Sequence, residues 1–148
     1  MSIEVALTVT RACLVSLVLL GEAIPAYAVD GPSEHHMTIT NAKMSNYVFL
    51  REMAADRTYP SHLVKKGQAI LVRLCEDIEK QKPKSLKELY ALTHHATEQF
   101  NELGHQFEEE GSEIETVARE NIGDDVATIA KAYGFDADTE ELIAPREW

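Results

Sequence analysis

Residues 83–111 read PKSLKELYALTHHATEQFNELGHQFEEEG, and this stretch decides the fold. Pro83 blocks a helix arriving from upstream, because its ring removes a backbone donor and collides with the preceding turn. Ser85-Leu86-Lys87-Glu88 then forms a capping box, a hydroxyl and a carboxylate at the spacing that satisfies two free amides of a starting helix. Leu86, Leu89, Thr93, Ala96, Phe100, Leu103 and Phe107 follow at steps of three and four, which places them on one face of an α-helix. Gly111 stands where a left-handed residue ends such a helix. The stretch therefore predicts one long amphipathic helix with both ends marked, and its apolar face needs partners to bury it.

The flanking sequence supplies them. Asn46 to Ala55 predicts a short first helix with Ser45 as its N-cap and Phe49, Leu50 and Met53 on one side. Pro60 opens a second helix where a missing N–H costs nothing, and Leu63, Ile70, Leu71, Leu74, Cys75 and Ile78 recur at helical spacing up to Lys82. Downstream, Ser112-Glu113-Ile114-Glu115 reads as another capping box. The stripe Ile114, Ala118, Ile122, Ile129 and Tyr133 follows, and Gly134 closes the helix with Phe135 in place for a hydrophobic cap contact. Asp138 caps a last short turn through Ala144, which Pro145 stops. No segment alternates with the period of two that a strand requires. The expected fold is all-α, a small helical bundle of three long amphipathic helices plus short N- and C-terminal helices. Gly67 and Gly123 fall inside helices, where close approach of a neighbour is the ordinary reason for glycine and room for a ligand the rarer one.

The first 36 residues stand apart from this pattern. Residues 12–20 are an apolar run too short to span a bilayer as a helix, and Gly21, Pro25 and Ala26-Tyr27-Ala28 follow. These are the parts of an export signal cleaved after Ala28, although Arg11 is the only basic residue ahead of the run and Glu4 precedes it. A second start at Met37 makes residues 1–36 an upstream extension instead. Translation from Met37 implies a cytoplasmic protein, and cleavage after Ala28 an exported one. The patterned domain is residues 37–148 in both cases, without a permanent membrane anchor.

The chain has 148 residues and a formal net charge of −11, which argues against nucleic acid or an anionic membrane as partner. The charge is divided: Met37–Thr97 holds 10 Lys and Arg against 6 Asp and Glu, and Glu98–Trp148 holds 3 against 15. Two readings stay open, mutual attraction of the halves as packed helices and an acidic surface that receives a basic protein or peptide. Cys13 and Cys75 lack the spacing of a metal or redox motif, and Cys75 reads as a buried structural thiol.

Candidate chemistry is sparse. At about 100° per residue, His94, Glu98, Glu102, His105 and Glu109 share one stripe of the long helix, and Glu102 to His105 is a Glu-x-x-His pair of the kind that binds di-metal centres in bundles. No second such pair exists on another helix, and the stripe lies off the apolar face, so no metal or other cofactor is expected. Asn121 and Asp125 project onto the core-building face of the fourth helix. They read either as buried groups that are hydrogen-bonded or salt-bridged, with a Lys or Arg of the basic half as a candidate partner, or as the lining of a small-molecule cleft between helices. No phosphate loop, zinc spacing or nucleophile elbow is present. Trp148, the only tryptophan, is expected to dock on the bundle.

Tyr59-Pro60, Leu63-Val64 and Lys66-Gly67, the run Glu113 to Glu120, Ala132 to Phe135, Glu140 to Ala144 and Arg146-Glu147-Trp148 resemble the blocks of a bacterial domain-of-unknown-function family, the one numbered 5713. The resemblance covers residues 37–148. It implies a start near Met37 and no activity, since none is established for the family; Thr58 departs from the aromatic that members often carry before Tyr-Pro. The functional expectation is a protein-binding or regulatory module, more a binder than an enzyme. The alternative is an enzyme or small-molecule carrier using the cleft near Asn121 and Asp125.

Overall fold

The computed structural model describes residues 39–148. Met37, the apolar run and the cleavage site predicted after Ala28 lie outside the described residues. Among the described residues five helices form: α1, Arg51–Ala55; α2, Ser61–Gln81; α3, Leu86–Glu109; α4, Thr116–Ala132; and α5, Thr139–Leu142. There is no strand among the described residues. Three long helices with a short one at each end is the architecture that the apolar spacing predicts.

Helices α2 and α3 pair as an antiparallel hairpin across residues 82–85. Lys66 Nζ, early in α2, donates to Gln106 Oε1 late in α3 at 2.7 Å, and His62 Nε2 lies 2.8 Å from Glu110 Oε1. The seam is tight at Gly67, where a β-carbon would stand 2.7 Å from Leu50 Cδ1 and 3.2 Å from the Phe100 ring. Close approach, not ligand space, explains this glycine. Helix α4 joins the hairpin largely through the short helices: α1 touches α2 and α4, and α5 touches α3 and α4. Leu63, Leu71, Leu74, Cys75 and Ile78 from α2, Leu89, Phe100, Leu103 and Phe107 from α3, and Ala118, Ile122 and Ile129 from α4 meet in one core. Leu86, the first residue of α3, stays 40% exposed.

The helix ends follow local chemistry with three corrections. Ser85 Oγ accepts from the Glu88 amide at 3.3 Å, while Glu88 Oε2 reaches back to the Lys84 amide at 2.7 Å, one residue earlier than a full capping box. The second capping box does not form. Gly111, at φ 74°, donates to Glu108 and Ser112 donates to Phe107, which makes Ser112 the closing residue of α3, so α4 begins only at Thr116. Gly134 and Phe135 close α4 through the same pair of bonds, to Lys131 and Ala130. The third correction concerns the first helix, which starts at Arg51 and not at Asn46. Leu50 adopts a left-handed backbone, φ 49° and ψ 42°, and residues 46–50 lie outside the helix.

The two halves of opposite charge are not joined by Lys or Arg ion pairs among the described residues. Arg73–Asp77 and Arg146–Glu140 each stay within one half, and the pairs that cross are His62–Glu110 and the sequence-local His95–Glu98. No helix among the described residues is long and apolar enough to cross a membrane.

Candidate functional site

Helix α4 turns Asn121 and Asp125 toward α1, and the reason lies in what α1 lacks. A helix start leaves amides without partners, and an N-cap side chain normally takes them. The N-cap of α1 is Leu50, whose side chain has no acceptor. Asp125 Oδ2 accepts from the Leu50 amide at 2.6 Å, and Asn121 Oδ1 receives the Met53 amide at a long 3.4 Å. The other carboxylate oxygen of Asp125 accepts from the Tyr47 hydroxyl at 2.8 Å. A distant helix thus caps α1.

Asp125 is 3% exposed. Burial pushes its pKa up, against the pull of the Leu50 amide and the Tyr47 hydroxyl; burial beside that carboxylate raises Tyr47 as well. The Lys or Arg anticipated beside Asp125 is replaced by a hydroxyl and an amide. Asp125 faces the core, with both oxygens engaged by its own chain.

A second carboxylate went unnoticed in the sequence. Glu79, near the end of α2, accepts from the Thr40 amide at 3.0 Å, the Thr40 hydroxyl at 2.8 Å, the Asn41 amide at 2.9 Å and the Tyr133 hydroxyl at 2.7 Å. Partial burial works to raise its pKa, but these donors outweigh it and bring the value down to about 2. Asn41 Nδ2 also donates to the Ala132 carbonyl. The available signal was position, since Glu79 lies one turn beyond the buried Cys75. Burial pushes the Cys75 thiol up to about 12, so it is no nucleophile at neutral pH. Tyr133 is raised too, by burial and then by its bond to Glu79.

The histidine-bearing stripe of α3 does not assemble a metal centre. His94 Nε2 donates to the Glu141 carbonyl at 2.7 Å, and its ring stacks on Tyr90 at 5.9 Å. His95 pairs with Glu98 at 3.9 Å and His105 with Glu108 at 3.8 Å, all four exposed; Glu109 is exposed as well. Among the described residues no three His, Cys, Asp or Glu side chains converge. Glu98, Glu102 and His105 instead border an open surface groove of about 470 Å³ with His95, Gln99, Asn101 and Glu147. A smaller groove of about 180 Å³ adjoins it, sharing Asn101, His105 and Glu147 and adding Glu108, Glu113, Ile114 and Trp148.

Asn101 holds the segment that forms one bank of both grooves. Its Nδ2 donates to the Pro145 carbonyl and its Oδ1 accepts from the Glu147 amide, each at 3.0 Å. Trp148 docks edge-on against Phe100, with ring centres 6.3 Å apart. The predicted docking of Trp148 is therefore present, and Asn101, which the sequence did not single out, organises it.

A family model described as "Family of unknown function (DUF5713)" matches residues 43–148. The chain belongs to this family. The DUF5713 match spans all five helices, Tyr47, Asn121, Asp125 and both grooves, but begins after Thr40 and Asn41, the residues that Glu79 holds. No curated protein and no solved structure matches the chain.

Proposed function

We propose that this domain is a protein-binding module whose acidic face, built by α3 and residues 145–148, receives a basic partner segment. The observation that carries the reading is the lining of the paired grooves. Glu98, Glu102, Glu108, Glu113 and Glu147 surround them, and neither is lined by Lys or Arg. Carboxylates gathered without a Lys or Arg among them give a negative potential that attracts and orients cationic groups. The internally held polar groups favour binding over catalysis, because Asp125 and Glu79 are engaged by amides and hydroxyls of their own chain and the buried Cys75 thiol is held protonated.

The test is titration with an arginine-rich peptide at several ionic strengths. Binding should weaken steeply with added salt, and Glu98→Lys with Glu102→Lys should weaken it by at least about tenfold, as charge reversal at an interface does. Equal binding of an acidic peptide, or affinity unchanged in the reversed variant, would sink the proposal.

A further inference from the structure

We infer that the segment Pro145–Trp148 is a releasable strap on α3, and that it occupies the seat taken by an apolar side chain of a basic partner. The second half of this inference rests on the proposed reading of the acidic face; the first half does not.

The strap is attached lightly and imperfectly. It lies beyond the last helix, and its direct ties to α3 are the two hydrogen bonds of Asn101 and the packing of Trp148 on Phe100. The indole N–H of Trp148 is buried and meets no acceptor among the described residues, so docking this ring strips a donor of water without repayment by a hydrogen bond. Glu147 adds a like charge to grooves already bordered by Glu98, Glu102, Glu108 and Glu113. Each feature lowers the free energy of local opening relative to the core helices beneath, which is how a segment comes to move independently of its domain. Arg146 pairs with Glu140 of α5 and donates its amide to Ile143, so it anchors the base of the strap and adds no tie to α3.

Opening has a specific consequence. Phe100 is 1% exposed and meets the edge of Trp148, and its neighbour Asn101 lines both carboxylate-bordered grooves. Release of Trp148 uncovers an apolar spot flanked by negative charge. The complementary ligand is a cationic segment with one large apolar side chain, which fills the place of the indole while its basic groups meet the carboxylates.

Trp148 is the only tryptophan in the chain, so acrylamide quenching of its emission reports how often the strap leaves α3. Asn101→Ala removes two hydrogen bonds and should raise the opening equilibrium by about tenfold, with helical circular dichroism retained. In the unaltered chain, denaturant should raise Trp148 accessibility before helical signal is lost. Unchanged quenching in a folded Asn101→Ala variant, or a rise in accessibility that coincides with helix loss, overturns the strap; the second measurement decides if that variant does not fold. For the seat, the probes are an arginine-rich peptide with one phenylalanine and its alanine counterpart. The phenylalanine peptide should bind more tightly and increase Trp148 quenching. Binding of both peptides equally, with quenching unchanged, overturns the seat and leaves the acidic-face reading intact. Binding of neither overturns that reading and with it the seat, and the strap then stands or falls on Asn101→Ala and the denaturant series.

Discussion

Asp125 and Glu79 are both carboxylates held by neutral donors, yet the fold moves their pKa values in opposite directions. Asp125 is sealed in the core with two donors, and lost hydration outweighs them; Glu79 is only partly buried with four donors, and the donors prevail. The difference sets what each tolerates. In Asp125→Asn the amide oxygen still accepts from the Leu50 amide, and the new NH₂ donates to the Tyr47 oxygen, which can accept as well as donate. This variant should melt close to the parent. Asp125→Ala strands the Leu50 amide and the Tyr47 hydroxyl, at a cost of about 2–4 kcal/mol. Chemical denaturation of both variants checks the contrast. Equal loss in the two would mean that the negative charge itself, not the hydrogen-bond geometry, holds α1.

Among elements, the seam between α2 and α3 gives the sharpest expectation. Alanine at a helical glycine ordinarily stabilises by up to about 1 kcal/mol. At Gly67 a methyl would meet Leu50 Cδ1 at 2.7 Å, and Leu50 is 1% exposed, so its side chain has to shift within a packed core. Gly67→Ala should therefore destabilise by about 1–3 kcal/mol, read from the shift in denaturation midpoint; a midpoint at or above the parent's would show that the core yields. What the sequence made legible divides along the same line. Helix ends fixed by neighbouring residues, such as Ser85 at the start of α3 and Gly134 after α4, are visible in it because cap and helix lie within a few residues. The start of α1 is not, because the residue that caps it is Asp125, whose partners Tyr47 and Leu50 lie 78 and 75 positions away. Ser112 misled for a related reason, since two local motifs compete for it and closing α3 prevails. For the site, the core-facing direction of Asn121 and Asp125 followed from helical spacing. Their partners did not, and neither did Asn101 or Glu79, whose roles exist only once separate segments meet.

Across the whole molecule the titrating groups add up to a pH profile. Glu79 drops from an ordinary 4.5 to about 2, so its stabilisation is full above about pH 4.5 and is lost as pH falls toward 2. Asp125 is raised, so its contribution is full below its ordinary 3.8 and is lost as pH rises through its folded value. The two slopes oppose each other in acid. Thermal midpoints measured from pH 7 down to about pH 2 should show a shallower acid loss in Glu79→Gln than in the parent. Parallel profiles would mean that the ties to Thr40 and Asn41 contribute no net stability.

Leu50 closes the usual routes to a sturdier domain. Its left-handed backbone is one that glycine adopts freely, but glycine there would empty the space against Gly67 and Phe100. Gly67 invites alanine, but that space is already taken by Leu50. The two simplest stabilising exchanges for a helical protein are thus barred by one another, and greater robustness has to come from changing positions 50 and 67 together.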